Sequence, residues 1–140
     1  MNITIATGAI ILNDFNQVLL VYRLKEPEAN KWSIPGGKVE LYEHLTDCVV
    51  REVKEEVNLD VEVDELVCTA ETVDDKTKEH YISLIYKMKN VNGVPENMEQ
   101  DKIGDLRWFS LEKLPDKIAC FSIEALEITK KNIHFTGSKI

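Results

Sequence analysis

The chain opens on two short apolar runs, Ile3 to Leu12 and Gln17 to Leu24, separated by Asn13-Asp14-Phe15-Asn16. Asn and Asp tolerate turn geometry and the flanking runs are aliphatic or β-branched, so the pattern predicts a β-hairpin with largely buried strands. Lys25 to Lys31 is polar and carries a proline, hence a loop, and Trp32-Ser33-Ile34 is an extended piece kept out of helix by Pro35. Two glycines, Gly36 and Gly37, follow. From about Glu43 to Val57 apolar positions recur at helical spacing, whereas Asp60 to Thr72 returns to alternation through Val61, Val63 and Leu66-Val67 and reads as strand. Asp74 to Glu79 predicts a turn, His80 to Met88 a central strand, and Asn90 to Gly104 a long polar loop of the kind that often carries function. Asp105 to Phe109 makes a last strand, and Ser110 caps a short helical turn ended near Pro115. Lys117 to Lys131 carries Ile118, Phe121, Ile123, Leu126 and Ile128 at roughly helical spacing, a C-terminal helix covering a sheet face. No repeat, low-complexity segment or change of composition marks a boundary. The expectation is a single domain over residues 1–140, of α/β class with a mixed β-sheet between helices.

With 140 residues and 44% apolar content, such a domain can bury a core without disulfides or structural metal. The formal charge of −8 and pI near 4.9 argue against nucleic-acid polymers and anionic membranes as partners, because most of the surface repels phosphate. Cys48, Cys68 and Cys120 are odd in number, widely spaced and without a CxxC or Cys/His cluster, which suits free thiols in a reducing compartment. The apolar start lacks a basic n-region and cleavage site, and no run approaches the roughly 18 residues of a membrane span. A cytoplasmic location is expected.

The charge is not evenly spread. On a helical wheel Leu45, Cys48, Val49 and Val53 share a face, and extending it toward the C-terminus brings in Glu52, Glu55 and Glu56, with Lys54 and Asp47 opposite. Like charges at i and i+4 cost about 0.2–0.5 kcal/mol even when exposed, and one arginine, Arg51, does not balance three acids. Taken alone, "REVKEEV" also suits a solvated helix laced with ion pairs. Acids in line with a buried stripe, behind a Gly-Gly step that offers a close backbone carbonyl and freedom at positive φ, instead favour a hard divalent cation such as Mg²⁺ or Mn²⁺.

The stretch resembles the Nudix box, G-x5-E-x7-R-E-U-x-E-E-x-G-U with U aliphatic: Gly37, Glu43, Arg51, Glu52, Val53, Glu55, Glu56 and Leu59 fall in register. Asn58 stands where the pattern has Gly, a mild change at a helix end because Asn tolerates the left-handed conformation. Tyr42 replaces a Gly common before the first Glu of the box and is expected to alter that loop's shape. "WSIPGG" resembles the usual lead-in, and the order of strands, the acidic loop before "LRWFSLEKLP" and the C-terminal helix resemble the small MutT-type members. The resemblance implies a Nudix-type α/β/α sandwich.

It also implies hydrolysis of a nucleoside diphosphate linked to another group, with Mg²⁺ as cofactor and Mn²⁺ as an alternative. Glu52, Glu55 and Glu56 would bind metal, the Gly37 carbonyl would be a further ligand, and Arg51 would orient Glu52 with Glu43 in the same network. A later loop acid serves some members, and Glu99, in preference to Glu96, stands at the corresponding distance from "LRWF"; an acid in a polar loop is otherwise simply solvated. The proline of ADP-ribose hydrolases would fall near Asp74 or Asp75, and the tyrosine of diadenosine polyphosphate hydrolases near Lys76 or Thr77; both are absent, as is the extended lead-in of coenzyme A hydrolases. A MutT-type nucleoside triphosphate pyrophosphohydrolase is left as the leading reading, producing a nucleoside monophosphate and pyrophosphate from a canonical or modified nucleotide. A nucleotide-sugar or other diphosphate-linked substrate is the alternative, and a non-catalytic nucleotide-sensing module a third. Similar proteins are frequently homodimers.

Candidate substrate contacts keep two readings each. Arg23, after a buried strand, suits a bidentate phosphate donor or an edge ion pair. Trp32, Tyr81 and Phe121 suit base stacking or core packing. His80, at a strand start, suits the base pocket or the surface.

Overall fold

The computed structural model describes residues 2–137, with side chains described through Ile133. Seven strands and two helices follow in the order β1 (Thr4–Ile10), β2 (Gln17–Arg23), β3 (Trp32–Ser33), β4 (Gly36–Lys38), α1 (Leu45–Val57), β5 (Asp60–Asp74), β6 (Glu79–Asn92), β7 (Ile103–Ser110) and α2 (Cys120–Gly137). The α/β class is as expected, but the sheet divides in two: a four-stranded sheet in the order β4-β1-β6-β5, and a three-stranded one in the order β3-β2-β7. The larger is mixed, since β1 runs parallel to β6 while its other pairings are antiparallel.

The division corrects the predicted hairpin. Its turn forms as expected: Asn13 Oδ1 accepts from the backbone N–H of Phe15 and Gln17, and Asn16 takes a left-handed φ of 57°. Beyond a bridge between Leu12 and Val18, the strands part and join different sheets. Each is interior to its sheet, with both edges paired, and each is apolar on both faces. Ala9 of β1 with Ile11 just beyond it, Leu19 and Val21 of β2, and Tyr86 and Met88 of β6 enter one core with Val49, Val53 and Val57 of α1. The alternate residues Ile10, Val18, Leu20 and Ile85 enter a second core with Ala125 and Leu126 of α2. Period-two alternation thus feeds an α/β/α sandwich with a core under each helix.

Other boundaries shift modestly. β6 lies between β1 and β5 as anticipated, though it runs longer than His80 to Met88. The C-terminal helix starts at Cys120. The segment after Ser110 is a turn, closed by the Ser110 carbonyl accepting from the Lys113 N–H, with Ser110 Oγ accepting from Glu112 N–H. β4 was not foreseen, because Gly-Gly-Lys has little strand propensity. It forms because those glycines can lie against β1, pairing Thr7 with Gly37 and Gly8 with Gly36. A Cβ on Gly36 would stand 2.0 Å from the Thr7 carbonyl oxygen, so close approach is what the position requires. The expected positive φ is not used at either glycine.

Helix α1 begins after His44, whose side chain makes no cap bond, and ends at Asn58 with φ 60° and ψ 38°, the left-handed cap expected there. Its face of Cys48, Val49, Val53 and Val57 is fully buried, each valine contributing about 1.5–3 kcal/mol of apolar burial. Before it, the turn from Glu40 to Glu43 is closed by the Glu43 N–H on the Glu40 carbonyl, and Tyr42 carries φ 68°. Its ring is 95% exposed, so nothing offsets the strain of the left-handed region. Tyr42→Asn is expected to raise stability by up to about 1 kcal/mol, read as a higher urea midpoint at unchanged slope.

Candidate active site

The long loop before β7 is tied to the end of α1. The backbone N–H groups of Glu96 and Met98 donate to the carbonyls of Val57 and Glu56, satisfying helix-end acceptors, and Asn97 Nδ2 donates to the Ile103 carbonyl. These bonds carry Glu99 to the helix face. Glu52, Glu56 and Glu99 each offer a carboxylate oxygen, and these atoms lie within 4.8 Å of one another. Local spacing places Glu52 and Glu56 together as i and i+4; only the loop anchorage brings in Glu99.

Glu55 is disposed differently from its neighbours. Its side chain is 54% exposed, against 14% for Glu52, and it pairs with Arg51 Nη1 at 3.0 Å instead of joining the cluster. Arg51 is the organising cation. Its Nε and Nη2 donate to the two oxygens of Glu43 at 2.6 and 2.9 Å, its Nη1 to Glu52 at 2.9 Å, and its Nη2 to the Lys38 carbonyl at 3.2 Å. The fork onto Glu43 is bidentate, and it holds the Glu43 carboxyl down at about 2 while raising the arginine further above its ordinary range.

The buried members behave oppositely. Burial raises Glu52 despite the Arg51 hydrogen bond. Burial also pushes Glu56 up to about 8, opposed by the Gly36 N–H that donates to its Oε1 at 2.8 Å and reinforced by Glu52 and Glu99. A carboxylate turned inward, beside two others, and bonded to a backbone N–H is a site short of positive charge. All the convergent donors are oxygens. This set fits a hard divalent cation, which Glu52, Glu56 and Glu99 could hold.

Gly37 lies against this group: a Cβ there would stand 2.3 Å from the Glu52 carboxylate. Beneath the strand, Cys48 Sγ lies 3.3 Å from Thr7 Oγ1 and 3.6 Å from the Lys38 carbonyl. The cluster borders a cavity of about 430 Å³, a size suited to a small ligand. Arg23 and Phe121 line it, with the guanidinium 5.4 Å above the Phe121 ring. Arg23 Nε donates to the Pro27 carbonyl, and burial lowers its affinity for the proton. Gly37, Glu52, Glu55, Glu56 and Glu99 share the same lining.

Two anticipated contacts are not brought there. Trp32 packs edge-on between Tyr22 and Phe109, with Arg107 over its ring, because β3 pairs with β2 on the far sheet. His80 stands beside Glu71 at 3.3 Å, on the β5–β6 ladder and outside the lining. Its neighbour Tyr81 lines the cavity instead, with Ser83 one strand period further on. Thr72, Ser83, Lys38 and Lys102 also line it and were missed. Alternation along β6 would have paired Ser83 with Tyr81; nothing local marks Thr72 or Lys102. Among the described residues no helix is long and apolar enough to cross a membrane.

A family model for the NUDIX domain matches residues 2–130. A solved MutT Nudix hydrolase from Burkholderia pseudomallei superposes with a TM-score of 0.85 at 33% identity, covering 91% of this chain and 98% of that one. An ADP-ribose pyrophosphatase of Methanocaldococcus jannaschii is 32% identical over 79% of this chain, which spans 64% of its length. An 8-oxo-dGDP phosphatase of Danio rerio is 34% identical over 42% of this chain, which spans 18% of its length. With Glu52 and Glu56 of the box on one helix face, the glycine strand against them and the family match over nearly the whole sequence, the chain belongs to the Nudix hydrolase family.

Proposed function

We propose that this protein is a divalent-metal-dependent pyrophosphohydrolase that cleaves a nucleoside triphosphate to a nucleoside monophosphate and pyrophosphate, with Mg²⁺ as cofactor and Mn²⁺ as an alternative. The observation that carries this is the convergence of Glu52, Glu56 and Glu99 within 4.8 Å, at the border of a cavity also lined by Arg23 and Phe121. Glu52, Glu56 and Glu99 would hold the ion, with Gly37 and Glu55 lining the same cavity, and it would supply neutralisation of phosphate charge and a more acidic bound water. The chain's own residues do the rest. Arg51 fixes Glu52 through its bond to Glu43, and the Gly36 N–H fixes Glu56. Glu99, paired with the exposed Lys102, is less restrained and is assigned the proton of the attacking water. Arg23 holds phosphate and the Phe121 ring faces the nucleotide. Water attacks phosphorus at the α–β anhydride and gives its proton to Glu99, that P–O bond breaks, and the bridging oxygen keeps the electron pair on the departing product, so that a nucleoside monophosphate and pyrophosphate result.

The archaeal ADP-ribose pyrophosphatase supports a second reading, a nucleoside diphosphate linked to a sugar. Asp74 and Asp75, where ADP-ribose hydrolases carry proline, weigh against ADP-ribose itself. Product analysis separates the two across nucleoside triphosphates, ADP-ribose and nucleotide sugars. Pyrophosphate released from a triphosphate with Mg²⁺, and abolished by EDTA, is the expected result. Failure to release it from any triphosphate overturns the proposal, and sugar phosphate from a nucleotide sugar selects the second reading.

A further inference from the structure

Lys102 closes the turn that carries Glu99. Its N–H donates to the Glu99 carbonyl at 2.9 Å, as does that of Ile103 at 2.8 Å, and its Nζ lies 3.3 Å from Glu99 Oε2. Glu99, like Glu52 with Arg51, therefore already has a cation supplied by the chain. The cations of this site are not equivalent. Arg51 is locked by a fork onto Glu43, whereas Arg23 is bonded to the Pro27 carbonyl and stacked on Phe121. Lys38 leans over Tyr81. Lys102 is 58% exposed, holds Glu99 by a simple ion pair, and lines the same cavity. An ammonium on a flexible stem changes partner at little cost.

We propose that Lys102 is the counter-ion of Glu99 in the metal-free protein and becomes a phosphate-binding residue once a divalent ion takes that carboxylate. Resting on the pyrophosphohydrolase reading, it adds a coupling. Metal entry frees a positive charge beside the cavity, so anionic substrate is held better by the loaded protein than by the empty one. Occupation of Glu99 by Lys102 also weakens the metal, since the ion must displace an existing pair.

The two halves have opposite signs in one variant. Lys102→Met keeps the stem and removes the charge. By calorimetry with Mn²⁺ alone, metal binding is expected to tighten about two- to fivefold, the range of an exposed ion pair. Inorganic pyrophosphate binding to Mn²⁺-saturated protein is expected to weaken about five- to tenfold, with Lys102→Arg recovering most of it. In turnover the same variant is expected to raise KM with kcat changed little. An ion pair that merely braces the loop would weaken metal binding when removed, and would not separate KM from kcat. Unchanged or weaker Mn²⁺ binding, or unchanged pyrophosphate binding, overturns the inference while leaving the pyrophosphohydrolase reading in place. Opposite shifts in the two affinities, in a protein that turns over no triphosphate, would uphold the inference and remove the reading.

Discussion

Glu56→Gln is expected to cut turnover on the order of a thousandfold while leaving the fold intact. The carboxylate belongs to the convergent group, and glutamine preserves its shape and its bond from the Gly36 N–H but not its charge. The same substitution has a stability signature that activity alone cannot mimic. In the metal-free protein Glu56 titrates at about 8 instead of 4.5, so between those values the native state holds a proton that the unfolded state has lost. Native binding of the extra proton makes stability fall as pH rises through that window, by on the order of a few kcal/mol, and level off above it. Unfolding of wild type in EDTA at pH 5, 6.5 and 8 should show this decline, and Glu56→Gln should flatten it. A variant with wild-type turnover would remove Glu56 from the metal site. An equal slope in both proteins would show that its ionisation is not what limits the empty site.

Gly37→Ala should lower activity about a hundredfold, because the new methyl meets the Glu52 carboxylate at 2.3 Å and Glu52 must swing away from Arg51 and from the group. Its contrast is Gly36→Ala, where the collision at 2.0 Å is with the Thr7 backbone carbonyl. A side chain can yield where a paired strand cannot. The first substitution should therefore weaken Mn²⁺ binding and turnover with a near-normal unfolding midpoint, and the second should chiefly destabilise the β1–β4 pairing. Unimpaired metal binding in Gly37→Ala would show that the position of Glu52 is not critical.

Much of this was legible from local pattern. Glu52 and Glu56 fall on one helix face by period alone, Asn58 is a residue suited to a left-handed cap, and the apolar runs that form β1 and β2 read as largely buried strands, as they are. The motif spacing identified the family. What failed did so where partners are remote in sequence. Trp32 reads equally well as a stacking ring or a core residue, and only the pairing of β3 with β2 turns it to Tyr22 and Phe109. The wheel brought Glu55 toward the acidic face, but at its edge the pull of Arg51 holds it in solvent.

By itself the amino-acid order determined the class of elements, the acidic helix and the chemistry that gathered oxygens imply, since these depend on residues a few positions apart. Tertiary structure alone decided that the sheet splits, that Gly36 and Gly37 serve by closeness and not by positive φ, and that Lys102 faces the site. It also seated Glu99 beside Glu52 and Glu56, because the loop's backbone N–H groups find their acceptors at the end of α1, more than thirty positions away. Periodicity specifies which face a side chain takes; it carries no information about which distant backbone completes an unfinished hydrogen bond.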